Sequence, residues 1–162
     1  MTGRVTLLPL ARVEGAQLAQ LIDEFLVLVS DTVPGTDPGL ARLTPDAYPG
    51  DPDASATFAQ ATRTDLLGRR HADAGVVRAA LEHFTAEPDD AEDAFTPIDL
   101  VIPESEMDAW LRTLSAMRLV IASRLGIDDE DDHEDDDPRY AVYDWLGYRL
   151  DGLVRSASEA DD

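Results

Sequence analysis

Residues 105–126 read SEMDAWLRTLSAMRLVIASRLG, and this stretch decides the class of fold. Apolar side chains recur in it at intervals of three or four residues, which places them on one face of an α-helix. These positions are Met107, Trp110, Leu111, Leu114, Met117, Ile121 and Leu125. Ser105 with Asp108 resembles a capping box at the start, and Gly126 is a typical helix stop. We therefore predict a strong amphipathic helix here.

The same periodicity predicts four further helices, at residues 12–30, 51–61, 62–84 and 138–156. Asp51 before Pro52, and Asp137 before Pro138, each pair an N-cap residue with a first-turn proline. Thr62 with Asp65 indicates a fresh start for the third helix. Gly68 and Gly75 each cost about 1 kcal/mol relative to alanine in a helix interior, so we expect a kink or break there.

Two short segments have the composition of β-strands. They are RVTLLP at residues 4–9 and PIDLVIP at residues 97–103. Such a pair forms a two-stranded ribbon only with a helix packed against it. The predicted fold class is therefore mainly α: a single helical domain over residues 1–162, of about five helices, with a two-stranded β-ribbon. The stretch FLVLV at residues 25–29 is apolar all round, so its helix is expected to lie in the centre of the core.

The segments between the helices differ in composition. Residues 31–52 hold five prolines and three glycines and are predicted to be a loop, held down by Leu40, Leu43 and Tyr48. Residues 87–96 are expected to form an acidic loop. The run at 128–137 is predicted to be an acidic flexible linker, and residues 156–162 a frayed acidic tail.

The charge of the chain restricts its partners. The formal net charge is −21, all thirteen basic residues are arginine, and lysine and asparagine are missing. Such a balance disfavours direct binding to nucleic acid, which needs clustered cations, and to anionic membranes. Cysteine is absent, so no disulfide or thiolate chemistry is available. Without a signal-peptide pattern or a sufficiently long apolar run, we expect a cytoplasmic protein.

No catalytic motif is recognisable, so we expect no enzyme, no catalytic residues and no cofactor. His71, His83 and His133 lack the spacing of zinc ligands. Carboxylates suit Ca²⁺ and Mg²⁺, but the acidic run 128–137 lacks the glycine at which an EF-hand loop turns. No metal site is predicted.

Arginines stand out in so acidic a chain. Arg63, Arg69 and Arg70 fall on one predicted helix, and Arg118 and Arg124 emerge beside the apolar face of residues 105–126. Salt bridges to the many acids are one interpretation. The other is a partner-binding patch, because the guanidinium fork matches carboxylates. These five arginines are the predicted partner-binding residues.

Several short motifs resemble those of a known domain family. In chain order they are RLTPDAY at 42–48, TRTDLLGRR at 62–70, Trp110-Leu111, MRLV at 117–120, SRLG at 123–126 and YDWL at 143–146. Together they resemble an actinobacterial domain family of unknown function whose genes commonly neighbour that of the Clp protease adaptor. A GC-rich genome of that kind also accounts for the missing lysine and asparagine.

The resemblance implies a regulatory role. One family member is described as an oxidative-stress transcriptional regulator that senses redox state through paired cysteines and works with a sigma factor. Redox sensing through thiols does not carry over, because this chain has none. The expected function is a non-catalytic protein-interaction module in stress-linked transcription or proteolysis control, with a sigma factor or Clp-related partner implied by the resemblance. Two alternatives stay open: an enzyme or small-ligand binder using arginines around a pocket between helices 105–126 and 138–156, and a structural homo-oligomer such as a homodimer.

Overall fold

The computed structural model describes residues 3–30, 38–43, 52–84, 93–127 and 137–161. Within them the chain forms two β-strands, four long helices and one short helix. In chain order these are β1 (Val5–Ala11), α1 (Arg12–Ser30), α2 (Pro38–Leu43), α3 (Pro52–Ala80), β2 (Pro97–Pro103), α4 (Glu104–Leu125) and α5 (Ala141–Asp161). Short 3₁₀ turns lie at Glu82–Phe84, Asp93–Phe95 and Pro138–Tyr140. The predicted mainly α fold is confirmed.

The predicted ribbon forms as β1 and β2 pair antiparallel, with Leu7 opposite Val101. Alternation along both strands divides the ribbon into two faces. The inner face buries Leu8, Leu10, Leu100 and Ile102 against the helices. Each strand runs directly into a long helix, β1 into α1 and β2 into α4. Because the strands are antiparallel, α1 starts at the Ala11–Pro97 end of the ribbon and α4 starts at the Val5–Pro103 end.

Helix α4 lies at the centre of the helical layer, where it packs against α2, α3 and α5, while α1 packs against α3. Its predicted apolar face is mostly buried, with Trp110 and Leu114 almost completely inaccessible to solvent. The end of α4 is also as predicted: Gly126 adopts a left-handed conformation with φ of 72°, and Ile127 N–H donates to the Ala122 carbonyl at 2.9 Å. The start differs, because α4 begins at Glu104 without a side-chain cap from Ser105.

Helix α3 corrects the predicted helix count. The segments 51–61 and 62–84, predicted as two helices, form one continuous helix of 29 residues, Pro52–Ala80. Neither a fresh start at Thr62 nor a break between Gly68 and Gly75 is present. The cost of two glycines, about 2 kcal/mol together, is smaller than the gain from burying Leu67, Ala74 and Val77 against α1 and α4.

Helix α2 lies inside the segment predicted as a loop. Its side chains Leu40 and Leu43 are buried, so both act as the anchors that the sequence predicts. The third predicted anchor, Tyr48, lies outside the described residues, as do most of loop 87–96 and residues 128–136 of the acidic run.

The last helix starts as predicted and ends later. The Asp137 carboxylate accepts a hydrogen bond from the Arg139 N–H at 3.0 Å and caps the turn that leads into α5. The segment 156–162, predicted as a frayed tail, continues α5 to Asp161. In α1, Val27 is 74 % exposed, so the run FLVLV is buried on one side only. No helix among the described residues has the length and apolarity to cross a membrane.

Candidate protein-interaction surface

The outer face of the β-ribbon is apolar and lies in solvent. Val5, Leu7 and Val101 are 55 %, 55 % and 52 % exposed, and we call these three residues the ribbon face. Leu7 and Val101 are directly opposite each other, so part of each side chain packs across the strands. About half of each side chain nevertheless contacts water. Phe95, two residues before β2, is also 74 % exposed and lies near the other end of that strand.

The register shows which backbone N–H and C=O groups of the ribbon point away from the partner strand. Glu104 N–H donates to the Arg4 carbonyl at 2.9 Å, so the pair next to Val5 and Pro103 is a hydrogen-bonded one. Hydrogen-bonded and non-hydrogen-bonded pairs alternate along an antiparallel ladder. The pairs Val5–Pro103, Leu7–Val101, Pro9–Asp99 and Ala11–Pro97 are therefore of the second kind. Their backbone groups point away from the partner strand, which is why prolines are tolerated there.

A groove lies at the end of the ribbon where Val5 pairs with Pro103. It has a volume of about 620 Å³, and residues 4–7 of β1 form one wall. The first turns of α4 and the last turns of α5 form the other walls, with Met107 and Ala157 at the apolar part. Glu104, Asp108 and Glu159 supply three carboxylates to it and Arg4 a single guanidinium. Asp108 also lies 3.8 Å from Arg112.

Of the predicted partner-binding arginines, Arg118 packs inside the domain. Its guanidinium carbon lies 4.1 Å from the centroid of the Tyr143 ring, and its Nε donates to the Tyr143 carbonyl at 3.4 Å. A Cβ atom at position 147 would lie 2.8 Å from Arg118 Nη2, so Gly147 makes room for this side chain. Arg118 fills the space between α4 and α5 beside Gly147, and the groove of about 620 Å³ lies between the first turns of α4 and the last turns of α5.

Two of the other four predicted arginines, Arg63 and Arg124, lie beside the end of α1. Arg63 borders a cleft of about 240 Å³ beside Val29, and Arg124 borders an open cleft of about 720 Å³. His71 lines both clefts, so they adjoin. Arg69 is exposed and Arg70 is partly buried on the same helix. The structure thus brings Arg63 and Arg124 close to one region and separates both from Arg118.

Glu14 forms a partly buried polar contact that the sequence did not predict. One carboxylate oxygen accepts from Trp145 Nε1 and from Arg149 Nη2, both at 2.8 Å. The other accepts from the Ala11 N–H at 3.2 Å. Partial burial by itself raises the pKa of Glu14. The hydrogen bonds from Arg149, Trp145 and Ala11 together lower the pKa by a larger amount, so the pKa lies below its usual value. Glu14 therefore ties α1 to α5 as an ion.

Removing this carboxylate should destabilise the fold measurably. We expect Glu14→Ala to cost about 2 kcal/mol near neutral pH, because hydrogen bonds to a charged group contribute about 1.5–3 kcal/mol and Glu14 keeps some solvent contact. Since the folded pKa lies below the ordinary value of 4.5, the stabilisation is complete above that value and is lost as the pH falls through the folded pKa. Urea unfolding of both proteins across this range measures the difference.

Glu24→Ala, which removes an exposed carboxylate from the same helix, is the control for Glu14→Ala. We expect it to change stability by less than about 0.5 kcal/mol. A stability difference between wild type and Glu14→Ala that grows on acidification would contradict the assigned ionisation.

The histidines lie apart in the fold. His71 is exposed between α1 and α3, and His83 is exposed with its ring stacked on Phe84 at 5.6 Å. His133 falls outside the described residues. Among the residues that are described, no three histidine or carboxylate side chains converge as a metal site.

The fold and these surfaces define the class of the protein: a small helical domain that carries a β-ribbon with an apolar outer face. The chain belongs to the family described as domain of unknown function DUF2017, which matches residues 1–157. No curated protein and no solved structure matches the sequence significantly. Membership confirms the predicted resemblance to a domain family of unknown function, whereas actinobacterial origin and gene neighbourhood stay predictions.

Proposed function

We propose that this protein is a non-catalytic protein-interaction module that docks a partner protein on the ribbon face. The observation that carries the proposal is the exposure of Val5, Leu7 and Val101 side by side on the same surface. Contiguous apolar surface in contact with water marks interaction sites more often than scattered apolar residues do. Asp99, Arg4 and Glu104 border it with charge, in the manner of the polar rim around an apolar interface core.

The proposed setting is the cytoplasm, in stress-linked control of transcription or proteolysis. The resemblance to a family that includes a sigma-factor-associated regulator supports this setting. A protein partner also suits the net charge of −21, because a chain with so few cations is a poor ligand for phosphate backbones. The partner is therefore proposed to be a sigma factor or a Clp-related protein, and any effect on genes would act through it.

The side-chain geometry favours interaction over catalysis. Glu14 is the described carboxylate with a lowered pKa, and three donors already engage its oxygens, so it is a weak base with little free acceptor capacity. Arg118 is engaged by Tyr143. Arg63 and Arg124 line clefts and remain candidates for a secondary partner contact.

Site-specific photo-crosslinking in the native host tests this function. A photoreactive amino acid at position 101 should form a covalent adduct with a partner protein, because the ribbon face lies inside the interface. The matched control is the same amino acid at position 27, since Val27 is 74 % exposed on α1 and lies outside the ribbon. We expect a clear adduct from position 101 and no adduct above background from position 27.

The double variant Val5→Thr/Leu7→Thr, with the photoreactive amino acid kept at position 101, gives a second readout. Threonine has the β-branched shape that strands favour and removes apolar contact, so we expect the adduct from position 101 to disappear while stability changes by about 1 kcal/mol or less. Equal adduct from positions 27 and 101, or an adduct that persists in the double variant, would contradict the proposal. An adduct between two copies of the chain would instead support the structural homo-oligomer.

A further inference from the structure

We infer that the open edge of β1 accepts an extended, basic segment of the partner as a third strand of the ribbon. The inference rests on the proposed function and specifies how the partner is held. Addition of a strand to an exposed sheet edge is a common mode of peptide recognition, in which main-chain hydrogen bonds supply affinity and side-chain pockets supply specificity.

The two edges of the ribbon are not equally protected. On the β2 edge, Pro97 and Pro103 remove donors at both ends, and the charged Asp99 lies between them. On the β1 edge, Pro9 removes one donor near the end of the strand. Proline and charge are the usual means by which proteins block unwanted strand pairing. The β2 edge is therefore closed, and the first half of β1 is left open.

The open part of β1 is centred on Val5 and Leu7. Both belong to non-hydrogen-bonded pairs, so their N–H and C=O groups face away from β2. Four consecutive residues, 4–7, line the groove. Side chains of a strand alternate between its two faces. Four consecutive residues therefore line the same groove only if the edge of the strand forms the wall. The groove of about 620 Å³ lies within the range of about 300–1,000 Å³ that is typical of ligand sites.

The charges in the groove determine the chemistry of the segment. Glu104, Asp108 and Glu159 face a single cation, Arg4. The groove also receives the negative end of the α5 helix dipole and the positive end of the α4 dipole, which have opposite signs, so the three carboxylates set the sign of its potential. An extended segment that alternates arginine or lysine with apolar residues complements this groove, because its cations meet the carboxylates while its apolar residues meet the ribbon face.

A synthetic probe tests the edge directly. It is a fluorescein-labelled peptide of about six residues, the usual length of a strand, in which valine and arginine alternate. We expect it to bind the full chain with a Kd below about 1 mM in fluorescence anisotropy. A peptide with glutamate in place of arginine should bind at least about tenfold more weakly, and added salt should weaken the arginine peptide, because the attraction is screened.

N-methylated probes separate edge pairing from side-chain contact. A strand donates to each neighbour through alternate residues. Methylation of one alternate set of amides should therefore abolish binding, and methylation of the other set should leave it within about twofold. These peptides need no variant of the protein.

Leu7→Pro and Asp99→Pro form a matched pair on the protein side. Each removes an N–H that points away from the ladder, the first from the β1 edge and the second from the β2 edge. Both sites resemble position 9, where the natural chain carries proline. We expect Leu7→Pro to weaken the probe at least about tenfold and Asp99→Pro to leave it within about twofold, with both proteins folded by circular dichroism.

The outcomes distinguish this inference from the function on which it rests. If both methylated probes bind alike, or if Leu7→Pro and Asp99→Pro bind the probe alike, the β1 edge is not the site and the inference fails. Failure of the probe to bind at all also overturns it. The crosslinking difference between positions 27 and 101 does not depend on strand addition, so it would still test docking on the ribbon face.

Discussion

Replacement of Gly15 by leucine should prevent stable folding, and even Gly15→Ala should cost about 2–3 kcal/mol. Gly15 lies in α1 and is buried directly under Phe84. A Cβ atom at this position would collide with the Phe84 ring and would lie 2.8 Å from Phe84 Cβ. Rotation of the Phe84 side chain does not move its Cβ, so the clash is relieved only by a shift of the backbone, which the bond from the Phe84 N–H to the Leu81 carbonyl at 3.0 Å opposes. Overpacking of this kind costs about 1–3 kcal/mol for small additions and more for large ones.

Gly68→Ala is the matched control for Gly15→Ala. Gly68 also lies in a helix interior, but a Cβ there would contact nothing within 4 Å. Alanine is about 1 kcal/mol better than glycine in a helix, so we expect the two substitutions to change stability in opposite directions. Urea unfolding followed by circular dichroism measures both.

A double variant tests the assigned contact. Phe84→Leu in the Gly15→Ala background should recover part of the loss, because the two side chains interact directly. Stabilisation by Gly15→Ala, or strict additivity of the two substitutions, would show that α1 does not pack on Phe84.

Trp110→Ala should destabilise the domain by about 3–5 kcal/mol, the usual cost of truncating a large buried aromatic side chain. Trp110 is fully buried in α4 at the centre of the core. With ordinary domain stabilities of about 5–15 kcal/mol, a loss of this size leaves little or no native population at 37 °C. Thermal unfolding by calorimetry measures the effect.

Two further variants test whether the loss of stability in Trp110→Ala arises from the loss of buried side-chain volume. Trp110 Nε1 has no hydrogen-bond partner among the described residues, so Trp110→Phe should cost much less than Trp110→Ala. Leu119→Ala on the same helix should cost under about 0.5 kcal/mol, because Leu119 is partly exposed. Equal losses in Trp110→Phe and Trp110→Ala would instead assign the stability to the indole N–H.

Periodicity predicted the helical segments because the spacing that places apolar residues on one helix face is a local property of the sequence. The apolar spacing in residues 105–126 depends only on 3.6 residues per turn, and Gly126 ends the helix for a reason internal to the backbone. The ribbon was also predictable, since prolines bound β2 at Pro97 and Pro103 and short apolar runs fill both strands. The anchors Leu40 and Leu43 were likewise identified by their isolation in a polar segment.

The misassigned elements are those in which packing outweighs local preference. Gly68 and Gly75 favour a break in α3, yet the helix is continuous because α1 and α4 both pack against it. Glycine and proline around α2 favour a loop, yet burial of two leucines supports a short helix there. Arg118 lies at the edge of the apolar face, where the sequence predicts an exposed side chain. Gly147, 29 positions further along the chain, leaves the space that the Arg118 guanidinium occupies.

The amino-acid sequence by itself determined the helical class, the bounds of α1 and α4 to within a residue, the two strands and the charge that disfavours nucleic acid. These features follow from spacing, turn residues and composition, each of which acts over a few residues. Only the tertiary structure decided which surfaces are open. Pairing of β1 with β2, whose partners are 86 to 98 residues apart in the chain, fixes the register that exposes Leu7 and Val101. The contact of Glu14 with Arg149 likewise joins residues from opposite ends of the chain. Such long-range pairings depend on the simultaneous packing of all elements, and no local pattern in the sequence contains them.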